Sequence, residues 1–169
     1  MKEISIEEGR PTDIMEKDGK QYILTSSTLY VGSIQSGFRK VGSNSDKEEK
    51  KNAEEDRWSL EFLFSCGDYV YVLMTVPAKY HSFSWLWQIS LKNGEWKKIM
   101  DEMPGFSFDK DTKEVAAGIE IGEKNAEVLY YKFHEDGTYE KKKIKANDTR
   151  LSAKRHVFPI FMLFVGMLC

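Results

Sequence analysis

Side chains that could do chemistry are few in this sequence and widely spaced. The three histidines, His81, His134 and His156, share no metal-ligand spacing, and no His-Glu-x-x-His, Gly-x-Ser-x-Gly or phosphate-binding glycine loop occurs. The two cysteines, Cys66 and Cys169, form neither a metal motif nor a disulfide framework. We therefore assign no catalytic, cofactor-binding or metal-binding residue, and the sequence favours a non-catalytic protein.

The remaining candidates have structural explanations. Asp109, Asp111 and Asp136 fall at expected turns, where an aspartate side chain bonds its own backbone. The Asp109-x-Asp111 pair lacks the further oxygen ligands of a calcium loop. Cys66 stands beside Gly67 with no histidine near it in sequence, so we expect a structural role for its thiol.

The strongest structural signal is residues 82–99, SFSWLWQISLKNGEWKKI, two alternating runs joined at Asn93-Gly94. Its first run places three aromatic residues on one strand face: Phe83, Trp85 and Trp87. An exposed stripe would stack on sugars or bases, whereas a buried one would pack between sheets. Packing between sheets is favoured because Tyr130 occupies the position of Trp87 in the next repeat.

Weaker copies of this hairpin occur on both sides of it. Moving forward by 43 residues, Leu86-Trp87 matches Leu129-Tyr130, and moving back by 57 residues it matches Leu29-Tyr30. We expect the leucines Leu29, Leu86 and Leu129 to occupy equivalent positions in three antiparallel sheets. Each should be followed by a tight turn at a glycine: Gly37, Gly94 and Gly137.

The two spacings differ by 14 residues, the length of a charged tract at residues 43–56. Without that tract, the period of about 40–50 residues with several strands per unit is typical of propeller-type repeats. The predicted domain, residues 1–145, thus holds units at about 13–42, 58–100 and 105–145, each of four strands. The inserted tract is interpreted as a solvated loop, with a partner-docking element as the alternative.

The third unit resembles one blade of a TolB-like or WD40-like β-propeller. The residues that carry the resemblance are Phe106, Ser107, Asp109 or Asp111, Ala116 and Asp136-Gly137. Thr112 replaces the usual glycine, the Trp-Asp signature is missing, and about three units can be traced over residues 13–144. The resemblance implies an all-β, propeller-like fold and no particular activity. Because propellers have about 4–8 blades, the array should be incomplete or open.

Composition narrows the class of partner. The 169 residues are 41% hydrophobic and 31% charged, as in a globular protein, and the formal net charge of −2 argues against nucleic acid. The first twenty residues are polar and acidic, unlike a secretory signal peptide. We therefore expect a location in the cytoplasm or at the cytoplasmic face of a membrane. Stacked units leave apolar end faces, which predicts a protein partner or self-association.

Residues 146–169 form a basic linker and an apolar tail. Residues 140–156 carry seven basic side chains against two acidic ones, and residues 157–169 carry no charge. As a helix these thirteen residues would span about 20 Å, short of the roughly 30 Å hydrocarbon core. The tail could be a partial membrane anchor, an element packed on the core, or a feature of the gene's end. The membrane-anchor candidates are Val157, Phe158, Ile160, Phe161, Leu163, Phe164, Val165 and Leu168.

The function that the sequence favours is a non-catalytic, propeller-like interaction or sensor module, with the apolar tail as a route to membrane association. One alternative is a carbohydrate-binding or hydrolase accessory domain that uses loops at one end of the sheets. The other is a truncated propeller fragment without independent activity.

Overall fold

A computed structural model of the chain describes residues 10–44, 59–77, 82–103, 105–121 and 125–145. The strands of these residues form three antiparallel sheets of four strands each, every one a meander in chain order. The first sheet contains β1 (Pro11–Lys17), β2 (Lys20–Thr25), β3 (Thr28–Ser33) and β4 (Gly37–Ser43). The central sheet contains β5 (Ser59–Cys66), β6 (Tyr69–Pro77), β7 (Ser82–Ser90) and β8 (Trp96–Met103). The third contains β9 (Gly105–Asp109), β10 (Glu114–Ile121), β11 (Asn125–Phe133) and β12 (Tyr139–Lys145).

The predicted all-β fold of repeated, open antiparallel sheets is confirmed. The hairpin at residues 82–99 becomes β7 and β8, and Gly94 between them has a φ of 72°. Gly137, between β11 and β12, has a φ of 83°. Glycine adopts this left-handed conformation without the steric cost that a Cβ would bring. Across the described residues, the three sheets do not close into a ring.

The central sheet lies between the other two, and its strand β6 is buried on both faces. Val70 and Val72 pack against the first sheet, whereas Tyr71 and Leu73 pack against the third. A strand covered on both faces is apolar at consecutive positions, which explains the nearly unbroken apolar sequence of β6. The first core, between the first and central sheets, is built from Tyr22, Leu24, Leu29, Val31, Leu60, Val70, Val72, Met74, Trp87 and Ile89. The second core, between the central and third sheets, contains Leu63, Phe64, Cys66, Tyr71, Leu73, Leu86, Met100, Val115, Ala117, Tyr131 and Phe133.

The third strands of the three sheets carry the repeated leucines, as predicted, but the third leucine points the other way. Leu29 and Leu86 each face the sheet that follows in the chain, whereas Leu129 faces back to the central sheet. The ungapped alignment of the third unit is therefore wrong by one residue. Strand side chains alternate between faces, so a shift of one residue exchanges the two faces. The structural counterpart of Trp87 is Tyr131 and not Tyr130.

With this correction, every sheet has an aromatic residue paired across strands with a lysine. The three pairs are Tyr30 with Lys40, Trp87 with Lys98, and Tyr131 with Lys141. In the central sheet the Lys98 ammonium lies 5.1 Å from the ring centroid of Trp87. In the third sheet the Lys141 ammonium lies 5.4 Å from that of Tyr131. These are cation–π distances, so in the central and third sheets the lysine of the outer strand covers the aromatic residue beside it.

Two backbones of neighbouring sheets touch at Gly42 and Gly94. A Cβ added at Gly42 would lie 2.0 Å from the carbonyl oxygen of Gly94, a distance that real Cβ atoms do not reach. Glycine at position 42 therefore permits the outer strand of the first sheet to meet the turn of the central sheet.

Among the aromatic residues of β7, Trp87 packs inside the protein. Trp87 is 4% exposed within the first core, and Trp85 is half-buried against the same core. The alternative hypothesis, that Trp87 stacks on a sugar or a base, is wrong, because a buried indole offers no face to a ligand. The eight membrane-anchor candidates lie outside the described residues, as does the charged tract from residue 45 onward. Among the residues that are described, no helix has the length and apolar character to cross a bilayer.

Candidate functional site

A depression of the described surface lies beside the first strands of the first and central sheets. β1, β5 and β9 are each the terminal strand of their sheet, so each has one edge outside the ladders. Between β1, β5 and the β9–β10 turn lies a cavity of about 520 Å³. We call it the first-strand groove. Its charged lining residues are Asp13, Glu16, Lys110, Asp111 and Lys113.

Asp13 joins two walls of this groove. Its Oδ2 accepts a 2.8 Å hydrogen bond from the backbone N–H of Phe62, and its Oδ1 accepts one of the same length from the N–H of Ile14. Phe62 stands where the pairing of β5 with β6 shifts register. The carboxylate therefore binds a backbone donor at an irregular strand edge, on the side of β5 where no described strand pairs with it. Asp13 is a positioning residue that fixes β1 against β5.

The β9–β10 turn forms the opposite wall and is held by its own side chains. The Oδ1 of Asp109 accepts hydrogen bonds from the N–H groups of Asp111 at 2.8 Å and Thr112 at 3.1 Å. This confirms the predicted structural role of Asp109. Lys113 adopts a φ of 60°, and its ammonium donates to the carbonyl oxygen of Lys110. The same ammonium lies 5.7 Å from the ring centroid of Phe64, which anchors the turn over β5.

The groove combines charges of both signs with an exposed apolar side chain. Carboxylates lie on β1, whereas the β9–β10 turn carries two lysines and Asp111. Ile14, on the β1 wall, is 63% exposed. In the described part of the chain, no group of three or more His, Cys, Asp or Glu residues could hold a metal ion. The arrangement is suited to binding a partner through apolar and ionic contacts.

A smaller cavity of about 270 Å³ lies between the central and third sheets, near their β7–β8 and β11–β12 turns. Gln88 forms its base and is almost fully buried. Its Nε2 donates to the hydroxyl of Tyr71 at 2.7 Å and to the carbonyl oxygen of Gly137 at 2.8 Å. Burial raises the pKa of Tyr71 to about 12. Since both protons of the amide nitrogen are used within the protein, Gln88 links two sheets.

The chemical candidates of the sequence do not converge. His134 lies at the surface 3.5 Å from Glu140. The Sγ of Cys66 is buried 3.9 Å from the carbonyl oxygen of Phe133, and burial raises the pKa of this thiol. The predicted structural role of Cys66 agrees with this packing. Asp136 accepts hydrogen bonds from Thr138, which lower the pKa of its carboxyl group. His81, His156 and Cys169 lie outside the described residues.

Of the charged residues of the first-strand groove, the sequence patterns point to Asp111 alone, as a turn residue. Asp13 is one acidic residue among 27, and its partner Phe62 is 49 positions away. The available signal was indirect, since Asp13 and Phe62 both occur in the first strand of a predicted unit. That signal predicts equivalent strands in neighbouring sheets for the two residues, but it does not predict that they contact each other.

Comparisons with protein-family models, with curated proteins and with solved structures find no match to this chain. The three open sheets and the groove at their first strands therefore carry the functional argument.

Proposed function

We propose that the chain is a non-catalytic, β-propeller-like interaction module with three blades in an open array, and that it binds a protein partner in the first-strand groove. The observation that supports this most directly is Ile14, which is 63% exposed at a wall of the groove. A large apolar side chain beside a concave strand edge could serve as the anchor of a bound segment.

Exposure alone does not distinguish Ile14, because Ile34 is 52% exposed on another part of the surface. The difference is location. Ile14 lies beside edges of β1 and β5 that are outside the ladders of the described strands. Apart from the Phe62 N–H, which Asp13 binds, backbone groups at these edges could pair with an extended segment of a partner. The carboxylates of β1, and the two lysines beside Asp111 on the opposite wall, would select a segment with complementary charges. Ile34 lies in the turn between β3 and β4, outside the cavity.

Affinity capture with quantitative mass spectrometry tests the proposal, with the tagged full-length chain as bait. Ile14→Asp is the test variant and Ile34→Asp is its matched control, since both replace an exposed isoleucine. We expect at least one protein to be retained by the wild type and by Ile34→Asp, and its recovery to fall about tenfold with Ile14→Asp. Thermal melting of both variants verifies the fold. Equal recovery with all three baits, or no enriched protein, overturns the proposal.

A further inference from the structure

The free edge of β12 is the most basic strand edge among the described residues. In the described part of the chain this strand is the outer strand of the third sheet, with β11 as its one ladder partner. Within seven residues it carries a single acidic residue, Glu140. Its basic residues are Lys141, Lys142, Lys143 and Lys145.

Positive charge is present on both sides of this edge. Lys141 lies over Tyr131 on the side that faces the central sheet. Lys142 follows it in the strand and therefore points to the opposite side, where its ammonium is 3.6 Å from Glu140. Lys141, Lys142 and Lys143 are all exposed. A flat anionic surface that meets the edge would contact all three.

The outer strands of the other two sheets are less basic. β4 has Arg39 and Lys40 with no acidic residue, whereas β8 balances two lysines with Asp101 and Glu102. Lysines on an edge strand discourage pairing with other chains. One or two cations per strand, as in β4 and β8, suffice for that purpose. β12 has twice as many cations, although Glu140 and Glu127 lie beside Lys142 and Lys143 and offset two of its four charges.

The residues that follow β12 in the sequence add further positive charge. After β12, eleven residues that include Arg150, Lys154 and Arg155 lead to the apolar residues 157–169. Clusters of lysine and arginine beside an apolar segment are typical of proteins that bind anionic lipids. We infer that the free edge of β12 is a docking surface for an anionic lipid bilayer. This inference concerns a different surface from the first-strand groove and does not depend on a protein partner there.

Vesicle co-sedimentation with the full-length chain tests the inference, using phosphatidylcholine vesicles with and without phosphatidylserine. The variant K141Q/K142Q/K143Q removes three charges from β12, and R39Q/K40Q/K97Q removes three from the outer strands of the other sheets. Each lysine near an anionic surface contributes about 1 kcal/mol, so the β12 variant should bind phosphatidylserine vesicles about a hundredfold more weakly. The vesicle affinity of the control variant should fall by less than about threefold, and added salt should weaken wild-type binding.

Several outcomes overturn the inference. These are wild-type binding that does not depend on phosphatidylserine, equal losses in the two variants, or no vesicle binding at all. Binding of a single-stranded RNA oligonucleotide in preference to the vesicles, abolished by the β12 variant, would assign the edge to nucleic acid instead. Because Lys143 is paired with Glu127, the melting temperature of each variant is measured first. K141Q/K142Q replaces the triple variant if the latter is unfolded, with an expected loss of about tenfold or more.

Discussion

The backbone N–H of Phe62 donates a 2.8 Å hydrogen bond to the carboxylate of Asp13, although 49 residues separate the two in sequence. The bond joins the first strand of one sheet to the first strand of the next. It also satisfies a donor at the register shift of β5, where β6 does not pair regularly. A charged acceptor is favoured here because an unsatisfied donor at a partly buried edge is costly.

Replacing Asp13 should therefore destabilise the contact between these sheets. We expect Asp13→Ala to lower the free energy of unfolding by about 1.5–3 kcal/mol, the typical contribution of a hydrogen bond to a charged group. Glu16→Ala, an exposed carboxylate on the same strand, is the control and should change stability by less than about 0.5 kcal/mol. Urea denaturation measures both, and equal effects would contradict the role assigned to Asp13.

Gly42 and Gly37 should respond differently to the same substitution. Gly42→Ala places a Cβ about 2.0 Å from the Gly94 carbonyl oxygen, so a backbone must move. We expect this substitution to lower the free energy of unfolding by about 3 kcal/mol, as overpacking in a core does. Gly37 has a φ of 81° but no atom within 4 Å of an added Cβ. Gly37→Ala should therefore lower the free energy of unfolding only through the strain of an alanine in the left-handed conformation, by about 1–2 kcal/mol. Denaturation midpoints in the reverse order would show that the sheets do not meet at Gly42.

The buried hydroxyl of Tyr71 should make stability fall in alkali. Its pKa is raised to about 12 in the folded chain, against about 10 in an unfolded one. The neutral phenol is thus favoured by folding, and this contribution is fully present below pH 10. It is lost as pH rises from 10 to about 12, with a total of up to about 3 kcal/mol.

Urea denaturation across this pH interval measures the loss. Tyr71→Phe removes the titrating group and should show a flatter alkaline profile than the wild type. The variant will be less stable near neutral pH, because Gln88 loses an acceptor for its Nε2 proton. The diagnostic quantity is therefore the slope with pH. Parallel slopes in the two proteins would mean that the Tyr71 hydroxyl is hydrated in the native state.

Much of the fold follows from local patterns. The Asn93-Gly94 turn and the alternation around it predict a hairpin, and the recurrence of that hairpin predicts three sheets. The face of the sheet to which each side chain points is harder to predict, because the alignment of the third unit has to be shifted by one residue. The sequence favours Leu129-Tyr130 as the match to Leu86-Trp87, since the residue types agree there. Turn geometry instead pairs Tyr131 with Lys141, and packing against the central sheet buries Tyr131.

This correction has its own test in two neighbouring tyrosines. Tyr131 is 2% exposed in the second core, whereas Tyr130 is half-buried on the opposite face of β11. We expect Tyr131→Ala to cost about 3–5 kcal/mol, as for other large buried aromatic residues. Tyr130→Ala should cost less than half as much. If Tyr130→Ala were the more damaging substitution in thermal melts, the ungapped alignment would be right.

The candidate groove lies beyond what the sequence could predict. Its walls come from three segments of the chain, and their proximity depends on how the sheets stack. Alternation indicates which side chains of β1 share a face, but it carries no information on the distance to the β9–β10 turn.

The meander order of the sheets bears on how the protein could be divided. Among the described residues no strand of one sheet pairs with a strand of another, so a cut between positions 44 and 59 severs no ladder. Two separately produced pieces would each keep whole sheets, and the first core together with the Asp13–Phe62 bond would supply their mutual affinity. Such a pair could serve as a split reporter, whose reassembly signals that two fused proteins have come together.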